Sequence, residues 1–138
     1  MHENCFNMFN SKYKKLNLKD SEIHEMKNFI TSLNSKKNSI VVVEGKRDED
    51  ALKKLGFSGR ICQFHSFKGL TRFVDSMPRY KSLILLLDSD RKGSYLTKRI
   101  ISQLQHRMKI DLSFRQKITA ITKGKVRQIE NLTLYADL

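Results

Sequence analysis

The sequence predicts an α/β fold, a three-layer sandwich in which a central, mostly parallel sheet of about four strands carries helices on both faces. Two short runs, SIVVV at residues 39–43 and SLILLL at residues 82–87, are continuously apolar, which is typical of strands buried on both faces. Segments with apolar residues at helical spacing separate the strand candidates. The resulting β-α-β-α-β-α-β order requires crossover connections and therefore favours parallel strands.

Residues 1–38 are predicted to form a basic N-terminal extension followed by a helix. The extension is polar and interleaves lysines with apolar side chains: Lys12, Lys14, Lys15 and Lys19. Asp20 or Ser21 can cap a helix, because their side-chain oxygens accept hydrogen bonds from the first backbone N–H groups. The apolar side chains that follow recur at helical spacing: Ile23, Met26, Ile30 and Leu33.

Residues 39–125 are predicted to form one domain in which strands and helices alternate. The expected strands are residues 39–43, 60–64, 82–87 and 110–114, with residues 118–122 as a last strand or the return of a hairpin. The expected helices are residues 48–55, 70–77 and 93–108. Gly56 is expected to stop the first of these helices and Pro78 the second. Residues 126–138 are expected to pack on this domain as a C-terminal segment.

The chain carries a large excess of positive charge. It has 27 Lys and Arg against 14 Asp and Glu, which gives a net charge of +13. Such an excess on a small domain favours a polyanionic partner, and nucleic acid is the default because each neutralised phosphate releases counterions. An anionic membrane surface is the alternative, but it usually selects one basic amphipathic helix, whereas here basic residues occur in most segments.

The composition favours a cytoplasmic protein without a membrane partner. No apolar run approaches the ~20 residues of a membrane span, and the first residues lack the apolar core of a signal peptide. Cys5 and Cys62 are too few for a disulfide framework, which fits a reducing compartment. Cys62 and His65 have the spacing of half a zinc site, but no second pair accompanies them.

Carboxylates follow both apolar strands directly. Glu44 and Asp48 come after residues 39–43, and Asp88 and Asp90 come after residues 82–87. For strand order 2-1-3-4, these strand ends meet where the order reverses, which is where open parallel sheets bind ligands. Carboxylates held this close repel one another, and a divalent cation with oxygen ligands, such as Mg²⁺, removes the conflict. Asp88 and Asp90, two residues apart, are expected to point to the same side of an extended chain.

Each aspartate also has a structural interpretation. An Asp that follows a strand is usually a turn residue or a helix cap, and Asp48 and Asp90 could both serve as caps. Two such clusters at corresponding strand ends favour a shared site over two independent caps. Gly45 allows a sharp turn and close approach to a phosphate, and Gly93 is expected to open a helix whose N-terminus favours an anion.

These residues resemble the two signature motifs of the Toprim superfamily. The family pattern is an apolar strand followed by Glu-Gly-x-x-Asp, then an apolar strand followed by Asp-x-Asp-x-x-Gly. Here EGKRD follows SIVVV, and DSDRKG follows SLILLL. The superfamily includes topoisomerases, bacterial-type primases, overcoming-lysogenization-type nucleases and the maturases of 5S ribosomal RNA. The resemblance covers roughly residues 39–125 and implies a Rossmann-like α/β fold.

The resemblance also implies roles for the site residues. Glu44 would act as general acid or base or as a metal ligand, and Asp88 and Asp90 would bind Mg²⁺, for which Mn²⁺ could substitute. Asp48 would be a further ligand or would shape the loop. The catalytic residues would therefore be Glu44, Asp88 and Asp90. The residues expected to contact phosphate or nucleic acid are Gly45, Lys46, Arg47, Arg91, Lys92 and Gly93.

The chain departs from some members of the superfamily. The 5S maturases and related nucleases tend to have another acidic residue just past the glycine of the second motif, where this chain has Ser94. Glu130 is a candidate for a late carboxylate. A topoisomerase needs a tyrosine nucleophile on another domain, and a primase needs a polymerase core, so 138 residues fit neither. What remains resembles the small stand-alone Toprim proteins of archaea and bacteria.

Two functional hypotheses follow from the sequence. The first is a small Mg²⁺-dependent nuclease or RNA-processing factor that cleaves phosphodiesters in RNA or DNA. The second is a non-catalytic nucleic-acid-binding module of a ribonucleoprotein or DNA-repair assembly, with protein partners that the sequence does not specify. A phosphoacceptor receiver domain fits less well, because Glu44-Gly45 replaces the adjacent acid pair that such domains prefer and the charge is strongly basic.

Overall fold

The computed structural model describes residues 20–136, and the sheet within them is four-stranded and wholly parallel. The expected basic extension, residues 1–19, lies outside the described residues. The strands are β1 (Ser39–Val43), β2 (Ile61–Gln63), β3 (Ser82–Leu85) and β4 (Lys109–Asp111). They are arranged in the order β2-β1-β3-β4, so the predicted strand order and the reversal between β1 and β3 are confirmed.

Five α-helices connect and follow the strands in the described part of the chain. They are α1 (Asp20–Asn34), α2 (Lys46–Lys54), α3 (Leu70–Ser76), α4 (Arg91–Leu104) and α5 (Ser113–Thr122). Short 3-10 helices occur at Phe64–Ser66, Met77–Arg79 and Ile129–Tyr135. The last of these, Ile129–Tyr135, is called the C-terminal 3-10 segment below. No helix among residues 20–136 is long and apolar enough to span a membrane.

The two faces of the sheet bury two separate apolar cores, because side chains alternate between the faces along each strand. Val41 and Val43 belong to the first core, which lies under α1, α2, α5 and the C-terminal 3-10 segment. Ile40 and Val42 belong to the second core, which lies under α3 and α4. The strands β1 and β3 are therefore covered on both sides, and the predicted three-layer sandwich is confirmed.

The first and last described elements are joined through a buried carboxylate. Glu22 on α1 is only 3% exposed. It accepts a hydrogen bond from the Tyr135 hydroxyl and pairs with Lys125 at 3.4 Å. Since these two partners lie more than a hundred residues further along the chain, α1 and the C-terminal 3-10 segment are fixed to each other.

The prediction of strands at residues 110–114 and 118–122 is largely wrong. Only Lys109–Asp111 is extended, and Ser113–Thr122 is the helix α5. The buried residues Phe114, Ile118 and Ile121 are spaced by four and three, which places them on one helical face. Asp111 helps to begin the helix, because its carboxylate accepts hydrogen bonds from the backbone N–H and the hydroxyl of Ser113, at 2.8 and 2.6 Å.

The other element boundaries differ from the predicted ones by a few residues. The helix α2 begins at Lys46 rather than at residue 48, and α4 spans residues 91–104 rather than 93–108. The strand β3 ends at Leu85, and the buried residues Leu86 and Leu87 extend beyond it. Pro78 lies in a 3-10 turn just after α3, as a residue that ends a helix should.

Candidate carboxylate site at the sheet edge

The candidate site lies at the carboxyl ends of β1 and β3, the two central strands. These strands pair in parallel register, with Val42 opposite Leu85, and the Leu86 N–H donates to the Val42 carbonyl at 2.9 Å. Glu44 follows β1, and its Oε2 accepts a hydrogen bond from the backbone N–H of Asp88 at 3.1 Å. The two acidic motifs, 44 residues apart in the chain, are therefore in direct contact.

Asp48 lies in the first turn of α2 and is buried, with 7% of its surface exposed. Its Oδ2 accepts a hydrogen bond from the Gly45 N–H at 3.1 Å, which satisfies one of the backbone donors at the start of the helix. The predicted capping role is therefore real, although Asp48 acts from inside the helix rather than as its first flanking residue. Burial and the hydrogen bond together fix the carboxylate against the Glu44–Gly45 turn.

Asp90 is the N-cap residue of α4. Its Oδ1 accepts a hydrogen bond from the Gly93 N–H at 2.7 Å. Ser89 and Asp90 lie in a bend, so the expectation that Asp88 and Asp90 share one side of an extended chain is wrong. The two carboxylates are nevertheless close enough for the charge of Asp90 to raise the pKa of Asp88.

The carboxylates influence one another electrostatically. Burial is the largest cause that raises the pKa of Glu44, of Asp48 and of Asp88. The charges of Asp88, Asp90 and Asp48 raise the pKa of Glu44 further, against the lowering effect of the Asp88 N–H. Where carboxylates that repel one another are buried together, a bound cation offsets the repulsion and stabilises the folded protein.

The donor set fits magnesium in its chemistry. Four carboxylates offer only oxygen ligands, and three of them are held at raised pKa values by burial and mutual repulsion. Within residues 20–136, however, no three or more His, Cys, Asp and Glu side chains are gathered closely enough to hold a metal ion as they stand. Each carboxylate instead uses an oxygen to accept a hydrogen bond from a backbone N–H.

Gly93 permits the close approach of α4 to the second motif. A Cβ atom on Gly93 would lie 2.0 Å from the carbonyl oxygen of Asp88, a distance that no real Cβ contact reaches. Gly45 is crowded less severely, because a Cβ there would lie 3.1 Å from Nδ1 of His65. Steric contact with the backbone therefore requires glycine at position 93, whereas at position 45 it brings His65 beside the first motif.

The C-terminal 3-10 segment closes one side of the site. The backbone N–H of Ile129 donates to Oδ1 of Asp88 at 2.9 Å. Glu130 lies 3.8 Å from the guanidinium of Arg47, and its charge contributes to raising the pKa of Asp48 and of Asp88. The sequence offered Glu130 only as a possible late carboxylate, and the structure places it next to the predicted site.

Sequence reasoning missed Arg115, which lies on α5 beside the second motif. Its Nε donates to the Leu87 carbonyl at 2.7 Å and its Nη2 donates to the Arg127 carbonyl at 2.9 Å. Its charge lowers the pKa of Asp88, and burial lowers the pKa of Arg115 itself. No local sequence signal marks this residue, because its partners lie 28 and 12 residues away in the chain.

The predicted phosphate-binding side chains lie at the rim of the site. Arg47 has 87% of its side chain exposed, and Arg91 and Lys92 are exposed in the first turn of α4. Lys46 is also exposed, but its ammonium lies 3.4 Å from Asp50 on the surface of α2. Arg47, Arg91 and Lys92 therefore lie in the first turns of the two helices that follow the motifs, while Lys46 is engaged along its own helix.

Comparisons with known proteins identify a family and a fold for this chain. The sequence model of the family described as "Toprim domain" matches residues 39–121. A UPF0292 protein of Methanocaldococcus jannaschii is 36% identical over 100 residues, which cover 70% of this chain and 77% of that protein. A UPF0292 protein of Thermococcus sibiricus is 33% identical over 96 residues, covering 69% and 75% of the two chains. A solved structure of a protein from Aquifex aeolicus has a TM-score of 0.57 at 24% identity, covers 80% of this chain and 94% of that one, and shares its fold.

Proposed function

This chain belongs to the Toprim family, and from that premise we propose that it is a small Mg²⁺-dependent nuclease that processes RNA or DNA in the cytoplasm. Membership associates the chain with metal-dependent chemistry on nucleic acids. The contact between Glu44 and Asp88 supports the finer proposal most directly, because it brings the two acidic motifs to one point at the switch point of the sheet. The net charge of +13 supports a polyanionic substrate.

Asp88 and Asp90 would hold the magnesium ion, with Asp48 as a further ligand. When bound, the ion supplies polarisation of a phosphoryl oxygen and a more acidic water. Glu44 uses one carboxylate oxygen for the Asp88 N–H, and its second oxygen would take up a proton from the attacking water. Asp48 holds the turn at Gly45 and so fixes the position of Glu44.

The rim cations would position the substrate. Arg47, Arg91 and Lys92 lie on the two helices that begin at the site, α2 and α4. Guanidinium groups bind phosphate oxygens in a bidentate manner, and a positioned phosphate accounts for a large part of the acceleration in phosphoryl transfer. Lys46 is the weakest member of the predicted set, because its ammonium is directed to Asp50.

A second candidate function is a nucleic-acid-binding module without catalysis. Two observations favour it: backbone N–H groups hold an oxygen of each of the four carboxylates, and among residues 20–136 no three potential ligands are gathered for a metal. In that case the carboxylates would act as structural caps, and the basic rim would bind nucleic acid alone, within an assembly that includes other proteins.

The experiment that separates the two functions is a cleavage assay on structured RNA and duplex DNA, with Mg²⁺, with Mn²⁺ and with excess chelator. For a nuclease, we expect Glu44→Gln and Asp88→Asn each to lower the cleavage rate by at least about 100-fold while leaving binding within about twofold. The matched controls are Glu25→Gln on α1 and Asp75→Asn on α3, both exposed and away from the two motifs. Metal-independent cleavage, or cleavage that survives both motif variants, would exclude the proposed mechanism.

A further inference from the structure

We propose that a cleft between α4 and the start of α5 binds the base of one unpaired nucleotide whose phosphate lies at the carboxylate site. This inference rests on the proposed function, since it names the form in which a nucleic acid strand would enter that site. The cleft has a volume of about 400 Å³. Asp88 and Ser89 line it, so the cleft and the carboxylate site share the second motif.

The walls of the cleft come from two helices. Ser94, Thr97 and Ile101 on α4 are spaced by three and four residues, which places them on one face of that helix. Leu112 and Gln116 provide the opposite wall at the start of α5. Leu87, Lys98 and Arg115 complete the lining. The cleft is therefore built from ordered elements rather than from a loop.

The lining suits a nucleobase. It is mainly apolar, which favours the flat face of a base, and it carries three hydroxyls and one side-chain amide that can bind the polar edge. The volume falls within the range of about 300–1,000 Å³ that small-ligand pockets occupy. A base paired within a duplex cannot enter such a cleft, so the nucleotide has to be unpaired and unstacked.

Arg115 provides a hydrogen-bond donor that the protein leaves unmatched. Its Nε and Nη2 donate to the carbonyls of Leu87 and Arg127, while its Nη1 is buried and has no partner among the described residues. Because Nη1 is shielded from solvent in this conformation, a small rotation of the guanidinium would present it to a base carbonyl or a phosphate oxygen in the cleft that Arg115 lines. Lys98, exposed on α4, adds a positive charge on the same side. A nucleotide combines the flat apolar surface, the acceptor oxygens and the negative charge that this lining requires.

The test is a titration of the isotopically labelled full chain with cytidine 5′-monophosphate, adenosine 5′-monophosphate and ribose 5-phosphate, followed by amide chemical shifts. We expect the nucleotides to shift the amides of residues 94–101 and 112–116, and ribose 5-phosphate to bind at least about tenfold more weakly. Ser94→Tyr should fill the cleft and lower nucleotide affinity at least about tenfold. The matched control is Ser102→Tyr. Ser102 is exposed on the same helix but does not line the cleft, so this substitution should change affinity by less than about twofold.

Equal binding of ribose 5-phosphate and nucleotides would overturn the inference, and so would equal behaviour of the two tyrosine variants. If the cleft instead takes a second copy of the chain, Ser94→Tyr will lower the mass measured by sedimentation while nucleotides leave the cleft amides unshifted. Melting curves of both variants are the control for loss of affinity through unfolding.

Because the readout is binding, it separates this inference from the proposed function. Base binding without cleavage would contradict the nuclease alone, and cleavage dependent on Glu44 without base binding would contradict this inference alone.

Discussion

At position 93 the facing backbone leaves no room for a side chain, so the residue has to be glycine. Replacing an exposed helical glycine by alanine usually stabilises a protein by about 1 kcal/mol. At Gly93 we expect the opposite, because the new Cβ would meet the Asp88 carbonyl oxygen at 2.0 Å and force α4 away from the second motif. Gly93→Ala should lower the free energy of unfolding by about 1–3 kcal/mol, measured by chemical denaturation. The control is Ser94→Ala at the next position, which is exposed, and it should change stability by less than about 0.5 kcal/mol. A Gly93→Ala protein that is more stable than the parent would show that α4 does not approach the Asp88 carbonyl closely.

We predict that the charge of Asp88 lowers the free energy of unfolding when no metal is bound. Its pKa is raised by burial and by the charges of Asp90 and Glu130, so ionisation of Asp88 is less favourable in the folded protein than in the unfolded chain. Asp88→Asn removes the charge, and its amide oxygen can still accept the hydrogen bond from the Ile129 N–H. We expect this variant to be more stable than the parent by about 0.5–2 kcal/mol in chelator. The exposed control Asp75→Asn should be neutral, and a destabilised Asp88→Asn protein would contradict the electrostatic interpretation.

Cys62 is expected to be an unreactive thiol. Burial raises its pKa from 9.0 to about 11, so the protonated form is favoured and the reactive thiolate is rare at neutral pH. In a Cys5→Ser background, the alkylation rate of Cys62 by iodoacetamide should still rise with each pH step from about 8 to 10. A rate that levels off below about pH 9.5 would show an ordinary or lowered pKa. The unfolded protein in denaturant provides the reference titration.

The residues of the site were predictable to the extent that they follow the strands directly. Glu44 and Asp88 come right after apolar runs, and parallel strands bring such ends to one edge, so their contact could be expected from the sequence. Arg115, His65 and the backbone N–H of Ile129 could not be expected, because each reaches the site through contacts between segments that share no local pattern. The capping role of Asp90 was one of two roles that the sequence offered, but the bend at Ser89 was not expected.

At the scale of elements, buried strands were easier to predict than the elements near the C-terminus. The runs at residues 39–43 and 82–87 are short, β-branched or leucine-rich and almost wholly apolar, which is typical of buried strands. The segment from residue 110 was ambiguous, because Ile110, Leu112 and Phe114 alternate while Phe114 and Ile118 have helical spacing. Tertiary packing decided the outcome: Phe114 is buried in the first core and packs edge-on against Phe29 of α1.

The C-terminal 3-10 segment is predicted to be a main support of the first core. Leu132 is fully buried in that core, whereas Leu134 in the same segment is only partly buried. We expect Leu132→Ala to lower the free energy of unfolding by about 2–5 kcal/mol, because it removes packed methyl groups and leaves a cavity. Leu134→Ala is the matched control and should cost distinctly less. Equal losses in denaturant titrations would show that the segment does not pack as described.

At the scale of the whole molecule, the charge makes a prediction about salt. If binding neutralises about four phosphates, nucleic-acid affinity should fall about 100-fold between about 50 and 200 mM salt. Lys92→Ala at the rim of the site should reduce the slope of log affinity against log salt by about one. The control is Lys27→Ala. Lys27 is exposed on α1, which packs on the face of the sheet opposite to α4, so this substitution should leave the slope unchanged. Fluorescence anisotropy with a labelled strand gives both slopes, and identical effects of the two variants would contradict a localised interface.

The buried carboxylate of Glu22 has a consequence for the order in which the protein can fold during synthesis. Glu22 is made early, but its partners Lys125 and Tyr135 are made more than a hundred residues later. Until then α1 lacks the surface that covers it, and Asp88 lacks the Ile129 N–H. A nascent chain whose residues 129–135 are still inside the ribosome should therefore remain incompletely folded and sensitive to protease, while emergence of these residues should let the whole domain close cooperatively.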